Sequence, residues 1–244
     1  TAFNSGRLEE INAYSVINKP MASRYTAVTG AAKFSYHSTT NGYLTDSLYN
    51  TDFTYRYITA DIWAGYNIGH NSGKRKDAEN RLRHFVALRG LYTDFMKVPG
   101  KYLYDYNYRY VDINGGLMSY SLYRQNFYRT NFIYGFGVNE DVAQGINATL
   151  IGGYINMQGI NRSYYGAEFE ASRYNKKGSL INYTFKTGGF INKKDFQDVN
   201  VLMGINGFTK LRPVNKFWYN RNFMGISYTR QINPYLNEPL VLQS

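Results

Sequence analysis

The sequence contains no cysteine. That excludes a disulfide framework, a Cys-ligated metal and an iron–sulfur centre. Histidine is scarce as well: His37, His70 and His84 are the only three, and none forms an i, i+2 or i, i+4 pair with another ligand type. No metal site is read from them, and no cofactor is expected. No stretch reaches the roughly 18 consecutive apolar residues of a transmembrane helix. The chain opens TAFNSGRLEE, without the basic start and apolar run of a signal peptide, and reads as a mature or truncated chain. Helical periodicity is nearly missing too. Two weak candidates are SGRLEEINAYSVI at 5–17, with Ser5 as N-cap and Glu9 and Glu10 near the first turn, and GKRKDAENRLRHF at 73–85.

What is abundant is aromatic and small. Aromatic residues make up 18% of the 244 positions, 26 of them Tyr, beside 23 Gly and only 5 Pro. Tyr and Phe favour strands, and Gly enters strands where they bend or pack closely. Mean hydropathy alone reads as soluble, but a membrane β-barrel alternates apolar and polar residues and so has an unremarkable average. The net charge of +11 suits an acidic partner: nucleic acid, anionic lipid headgroups or lipopolysaccharide phosphates. The basic residues are scattered, with one tight run, GKRK at 73–76, which reads as a solvated loop.

Most of the chain alternates with period two. Strands are expected at 25–37, 53–69, 82–95, 108–123, 126–137, 146–158, 163–174, 179–191, 199–211 and 217–230. Most exceed the ordinary globular strand and are long enough to cross a bilayer at a tilt. Short connectors such as RQN at 124–126 and NKKG at 175–178, and longer ones such as VNEDVAQG at 138–145, leave no room for helical crossovers. The fold class is therefore all-β, an antiparallel meander. It forms a single domain over 1–244, with 1–24 as a lead-in that holds the short helix and 25–230 as the strands.

The strands sort into two faces. One carries Tyr128, Phe132, Tyr134, Tyr165, Phe169, Ile181, Tyr183, Phe185, Val201 and Met203. The other carries Arg129, Asn131, Glu168, Glu170, Asn182, Lys186 and Asn206. Trp63, Phe85 and Ala87 fall on the polar register and sort poorly. A soluble sandwich buries such apolar faces against each other, whereas a transmembrane barrel turns them to lipid and lines its lumen with the polar face. Strand length, consecutive order and a polar face rich in Gly, Asn and matched charges favour the barrel. So do aromatics near strand ends: Tyr164, Tyr165, Tyr174, Phe190, Phe217, Trp218 and Tyr219 are girdle candidates. The first set is then lipid-facing and the second lumen-facing, in an outer membrane. The alternative is a soluble, carbohydrate-binding or glycan-cleaving β-sandwich.

The segment TNFIYGFGVNEDVAQGINATLIGGY at 130–154, followed by YYGAEFEAS, resembles the barrel of the surface-antigen superfamily, which contains the BamA-like assembly factors and the two-partner-secretion transporters. The shared features are an aromatic-Gly-aromatic-Gly strand end, an acidic connector, a Gly-rich strand and a Tyr-x-Gly-Ala strand start. NRNFMGISYTRQINPYLNEPLVL at 220–242 is similar to the strand and loop that lead to the superfamily's lumenal loop. The Arg-Gly-Phe-like tripeptide of that loop and the periplasmic repeats are not in this sequence. The resemblance implies a fragment of a larger barrel in a gram-negative outer membrane, acting in protein assembly, secretion or passage. It also implies lipid, including lipopolysaccharide, and other barrel or periplasmic subunits as partners.

Candidate chemistry is thin. Glu168 and Glu170 share a face about 6.5–7 Å apart along the strand, between the two glycosidase geometries. Ser172 occupies the next same-face position where a third acid would stand, so the pair reads as lumenal charges for Lys186. Glu140 and Asp141 read as turn-bonding groups rather than a cation site. GFGVNEDVAQG contains Gly-x-Gly, but no helix follows, so it is no phosphate loop. Aromatics interleave with basic residues, yet a stacking platform needs them exposed beside those bases. Neither nucleic-acid binding nor enzymatic activity is expected.

Overall fold

The computed structural model describes residues 1–4, 7–21, 26–40, 53–69, 82–104, 107, 109–131, 133, 138–157, 159–175 and 177–235. In chain order the strands are β1 (Ala2–Asn4), β2 (Arg7–Lys19), β3 (Val28–Thr39), β4 (Tyr55–Ile68), β5 (Arg83–Lys97), β6 (Ile113–Asn131), β7 (Asn139–Met157), β8 (Ile160–Asn175), β9 (Ser179–Asn192), β10 (Asp195–Phe208), β11 (Arg212–Pro213), β12 (Tyr219–Asn220) and β13 (Phe223–Ile232). β1 to β10 and β13 form one eleven-stranded sheet in that order, and β11 pairs with β12. Every pairing is antiparallel. The fold is thus an all-β meander, and its sheet is open: among the described residues β1 and β13 do not pair with each other.

The N-terminal helix is not formed. Residues 7–19 are a full strand, β2, paired with β3 from Glu10↔Thr39 to Lys19↔Gly30. The alternation of Ile11, Ala13 and Ile17 with polar neighbours is a strand pattern, and an unpaired edge of β3 was there to take it. The lead-in therefore belongs to the sheet. The second candidate helix lies mostly in 70–81, outside the described residues, and its last residues are in β5. The two strands expected at 108–123 and 126–137 are largely one, β6, which runs straight through RQN. The chain returns earlier than expected, because the connector 138–145 forms the start of β7. Reading turn chemistry into polar residues hid a nineteen-residue strand.

Pairing registers carry one apolar face from strand to strand. Val28 opposes Tyr66, which opposes Val86, which opposes Tyr120, which opposes Leu150. Leu150 opposes Ala167, Phe169 opposes Phe185, Phe185 opposes Met203, and Met203 opposes Tyr228. The other face holds Lys33, Asp61, Arg89, Thr149, Glu168, Lys186 and Asn206. The sheet curls toward that polar face. Met21, just past β2, receives a 3.8 Å contact from the Tyr123 hydroxyl on β6. Tyr235, past β13, donates its N–H to Asp198 at 2.6 Å, and the Asp198 carboxylate also binds Arg162 on β8. The polar face is concave and the apolar face convex.

Candidate functional site

The concave face is a hydrogen-bonded surface built from directly opposed side chains. Ser35 meets Thr59 at 2.6 Å, and Ser121 meets Thr149 at 2.8 Å. Asn182 donates to Asn206 at 2.8 Å. Arg89 grips Asp61 with two parallel bonds, Nε to Oδ1 at 2.8 Å and Nη2 to Oδ2 at 2.6 Å. Lys33 lies directly opposite Asp61 in the β3–β4 register. Glu168 opposes Lys186, and the Lys186 Nζ sits 2.8 Å from Glu170 and 3.6 Å from Glu168. Three cations thus stand among three carboxylates. The acid pair thus shares one ammonium, and Ser172 rather than a third acid stands at the next same-face position. Glu168, Glu170, Asn182, Lys186 and Asn206 all share this face.

Aromatic residues that sort badly in the sequence also stand here. Phe85 lies across Gly65, where an added Cβ would meet the ring at 2.1 Å. The missing side chain makes room for the ring, so Phe85 belongs on the polar register. Tyr164, Tyr174 and Phe190 likewise share the concave face, which corrects their reading as girdle residues. Near the Tyr55 end of β4, His37, Tyr55, Tyr57, Phe95, Tyr102 and Tyr110 form a chain of ring contacts, with centroids 4.9–5.8 Å apart along it. Burial among them pushes the Tyr110 phenol up, and Tyr55 and Tyr102 add to the shift.

The two ends of the concave face carry different chemistry. At the Arg162 rim, the guanidinium is 1% exposed, lies 2.5 Å from Asp198 and sits 4.1 Å over the Phe190 ring. Asp198 occupies a bulge between β9 and β10 and has φ +51°. At the Tyr174 rim, Leu180, Phe208 and Ile133 are buried together, with Val142 and Tyr174 against them.

The β6–β7 ribbon reverses two expected assignments. Tyr128 stacks on Tyr174 with ring centroids 4.1 Å apart, so it stands on the concave side, not with the lipid-facing set. Arg129, next in the strand, points to the opposite side. There it pairs with Asp141 at 3.0 Å, both well exposed. Pairing between β6 and β7 is unbroken here, so the reversal is a rotation of the ribbon and not a slip. Glu140 accepts the Ile133 N–H at 2.8 Å and so bonds the turn. Phe132, Tyr134 and the side chain of Asn131 lie outside the described residues, as does His70.

The convex face is the complementary surface. Tyr165, Phe169, Ile181, Tyr183 and Met203 are exposed there, with Phe185 and Val201 half-buried beside them. So are Leu88, Met118, Leu150, Ile205, Met224 and Ile226 on the neighbouring strands. On three strands, polar side chains bracket an apolar stretch of this face: His84 and Asp94 on β5, Asn114 and Arg124 on β6, Ser163 and Arg173 on β8. Each of those pairs is ten residues apart. One alternate position inside the polar ends lie Tyr92 (before Asp94), Tyr154 (before Asn156) and Tyr165 (after Ser163), all exposed. Sequence patterning finds the faces strand by strand, but not that the bare band has a constant height, because that requires the registers. No family model, curated protein or solved structure matches the chain. Among the described residues no group of three or more His, Asp and Glu is placed to hold a metal.

Proposed function

We propose that this sheet is the wall of a transmembrane β-barrel in an outer membrane, with the convex face toward lipid and the concave face toward a polar lumen. The observation that carries the reading is the charge-free band between polar ends ten residues apart on β5, β6 and β8. Ten residues of strand span about 33 Å, which at a tilt of roughly 40° is a height of about 25 Å, the thickness of the apolar belt of outer-membrane barrels. Tyr92, Tyr154 and Tyr165 occupy girdle positions at one border. Arg124 and Arg173, exposed at the other border, suit the phosphates of lipid headgroups, lipopolysaccharide among them.

A soluble sandwich needs a second layer over this face, and the described residues supply none. In the barrel reading the chain acts in protein assembly, secretion or passage, the role implied by its resemblance to surface-antigen barrels. It does so by shape and lining rather than covalent chemistry. The test is depth-dependent arginine placement. Phe169→Arg and Tyr183→Arg, at mid-band, cost about 2–4 kcal/mol of folding into bilayers, and Tyr154→Arg, at the border, costs about 0–1 kcal/mol. Folding into lipid vesicles that is equally efficient for all three variants and the parent chain overturns the lipid-face assignment.

A further inference from the structure

Trp63, Phe85 and Ala87, the three residues that sort poorly because they fall on the polar register, line two cavities on the concave face. The first has a volume of about 380 Å³ and is built by β4 to β7. The registers account for it. Trp63 opposes Arg89 on β5 and Ala31 on β3, and Ala87 opposes Ser119 on β6. Two small side chains placed side by side leave a low floor. Trp63, Leu117 and Ile151 stand around it.

The walls of this cavity hold bonding capacity that the chain does not consume. Among the described residues the Trp63 indole has no hydrogen-bond partner and no ring or cation over its face, and the Ser119 hydroxyl has no partner. Asp61 and Arg89 are locked together by two parallel bonds. A carboxylate and a guanidinium held in that way keep their remaining lone pairs and N–H groups in fixed directions. The second cavity, about 480 Å³, continues the first. Phe85 stands one alternate position before Ala87, and Ser121 one after Ser119. It adds the Phe85 and Tyr123 rings, with Asn147 and Ser172, whose side chains have no partner among the described residues.

The surroundings select among ligands. A cation over Trp63 would be repelled by Arg89 and by Lys33, which opposes Asp61. An anion would compete with Asp61 for Arg89. A bare aromatic face beside a fixed Arg–Asp fork and a free hydroxyl suits a neutral ring with C–H groups on its face and hydroxyls on its edge. Dispersion and weak C–H contacts hold such a face, and the fork holds the edge.

We propose that the two cavities form a saccharide-binding track, with Trp63 as its stacking platform and Asp61 and Arg89 as its hydroxyl-binding pair. The proposal goes beyond the barrel reading and stands whether the convex face meets lipid or not. Trp63 and Trp218 are the only tryptophans. In a Trp218→Phe background the emission of the folded protein therefore reports the first cavity alone. That protein is titrated with maltotriose, cellotriose and chitotriose. At least one of the three changes the Trp63 emission saturably, with half-saturation at or below about 1 mM.

Ala87→Leu and Ser119→Leu, which fill the floor from two different strands, weaken that binding at least about tenfold, and Asp61→Asn weakens it by a similar factor. Ala148→Leu, opposite Phe169 on the convex side, leaves it unchanged. Variants are compared only when their circular dichroism matches the parent's, and either cavity-filling variant suffices. No saturable change with any of the three sugars overturns the track. So does an unchanged half-saturation in a folded cavity-filling variant. Adenosine binding more tightly than every sugar overturns it too, since the platform would then serve a flat base.

Discussion

A single buried arginine ties three strands and the segment after β13 together. Arg162 on β8 holds Asp198 in the β10 bulge at 2.5 Å, lies against Phe190 of β9, and has the Tyr235 ring 5.9 Å from its guanidinium. Asp198 in turn accepts the Tyr235 N–H and donates its own N–H to the Asn233 carbonyl. Removing the guanidinium leaves a carboxylate with little water access and a strained φ to maintain, which is the costly way to break a buried pair. Arg162→Ala is expected to lose about 3–5 kcal/mol in denaturant unfolding, and Arg162→Lys less, since charge survives but the flat stack on Phe190 does not. A loss under about 1 kcal/mol for Arg162→Ala shows that the cluster is not a joint. None of this was legible in the sequence. Arg162 is an ordinary polar residue near a strand start, and its partner lies thirty-six positions away across a bulge. Lys186 between Glu168 and Glu170 was legible, because one hairpin turn, NKKG, sets which positions oppose.

At the scale of elements, local alternation was a good guide on several long strands flanked by long strands. β8, β9 and β10 are examples, and their two faces follow directly from residue parity. It failed where context decided. Residues 7–19 have a weak helical reading, but an isolated helix of that length is marginal in water, and the free edge of β3 offered ten paired positions. It failed again on Tyr128 and Arg129, whose parity is right but whose ribbon rotates at Gly145. That rotation makes a direct prediction. Gly145→Ala places a Cβ against the Arg124 carbonyl in a conformation that L residues resist, and is expected to cost about 1–3 kcal/mol. Gly152→Ala, on the same strand with nothing within 4 Å of the new atom, is expected to be near neutral. The difference between the two unfolding midpoints is the measurement. Equal midpoints mean that the ribbon rotates elsewhere.

At the scale of the whole molecule, the question is how an eleven-stranded sheet with one greasy side exists at all. An open edge is a liability, and in lipid it is not tolerated. The edge of β13 away from β10 carries no strand among the described residues. In the barrel reading it is closed by strands beyond those described or by another chain. Curvature is the part of that reading that this chain carries by itself. β2 and β6 are four strand spacings apart, about 19 Å across a flat sheet. Yet the Tyr123 hydroxyl lies 3.8 Å from the Met21 sulfur. The two can meet only if the sheet rolls toward its polar face and the segment after β2 crosses that face. Cysteines at Met21 and Tyr123 are therefore expected to join within one chain through a short bifunctional maleimide, at high yield and independently of protein concentration. A control pair at Ile17 and Leu122, which opens on the convex side, is expected to stay unlinked, because rolling carries those positions apart. Cross-linking that appears only between chains, or equally in both pairs, means a sheet that does not roll. The lumen would then have no wall, and the charges on Asp61, Arg89, Glu168, Glu170 and Lys186 would face open solvent.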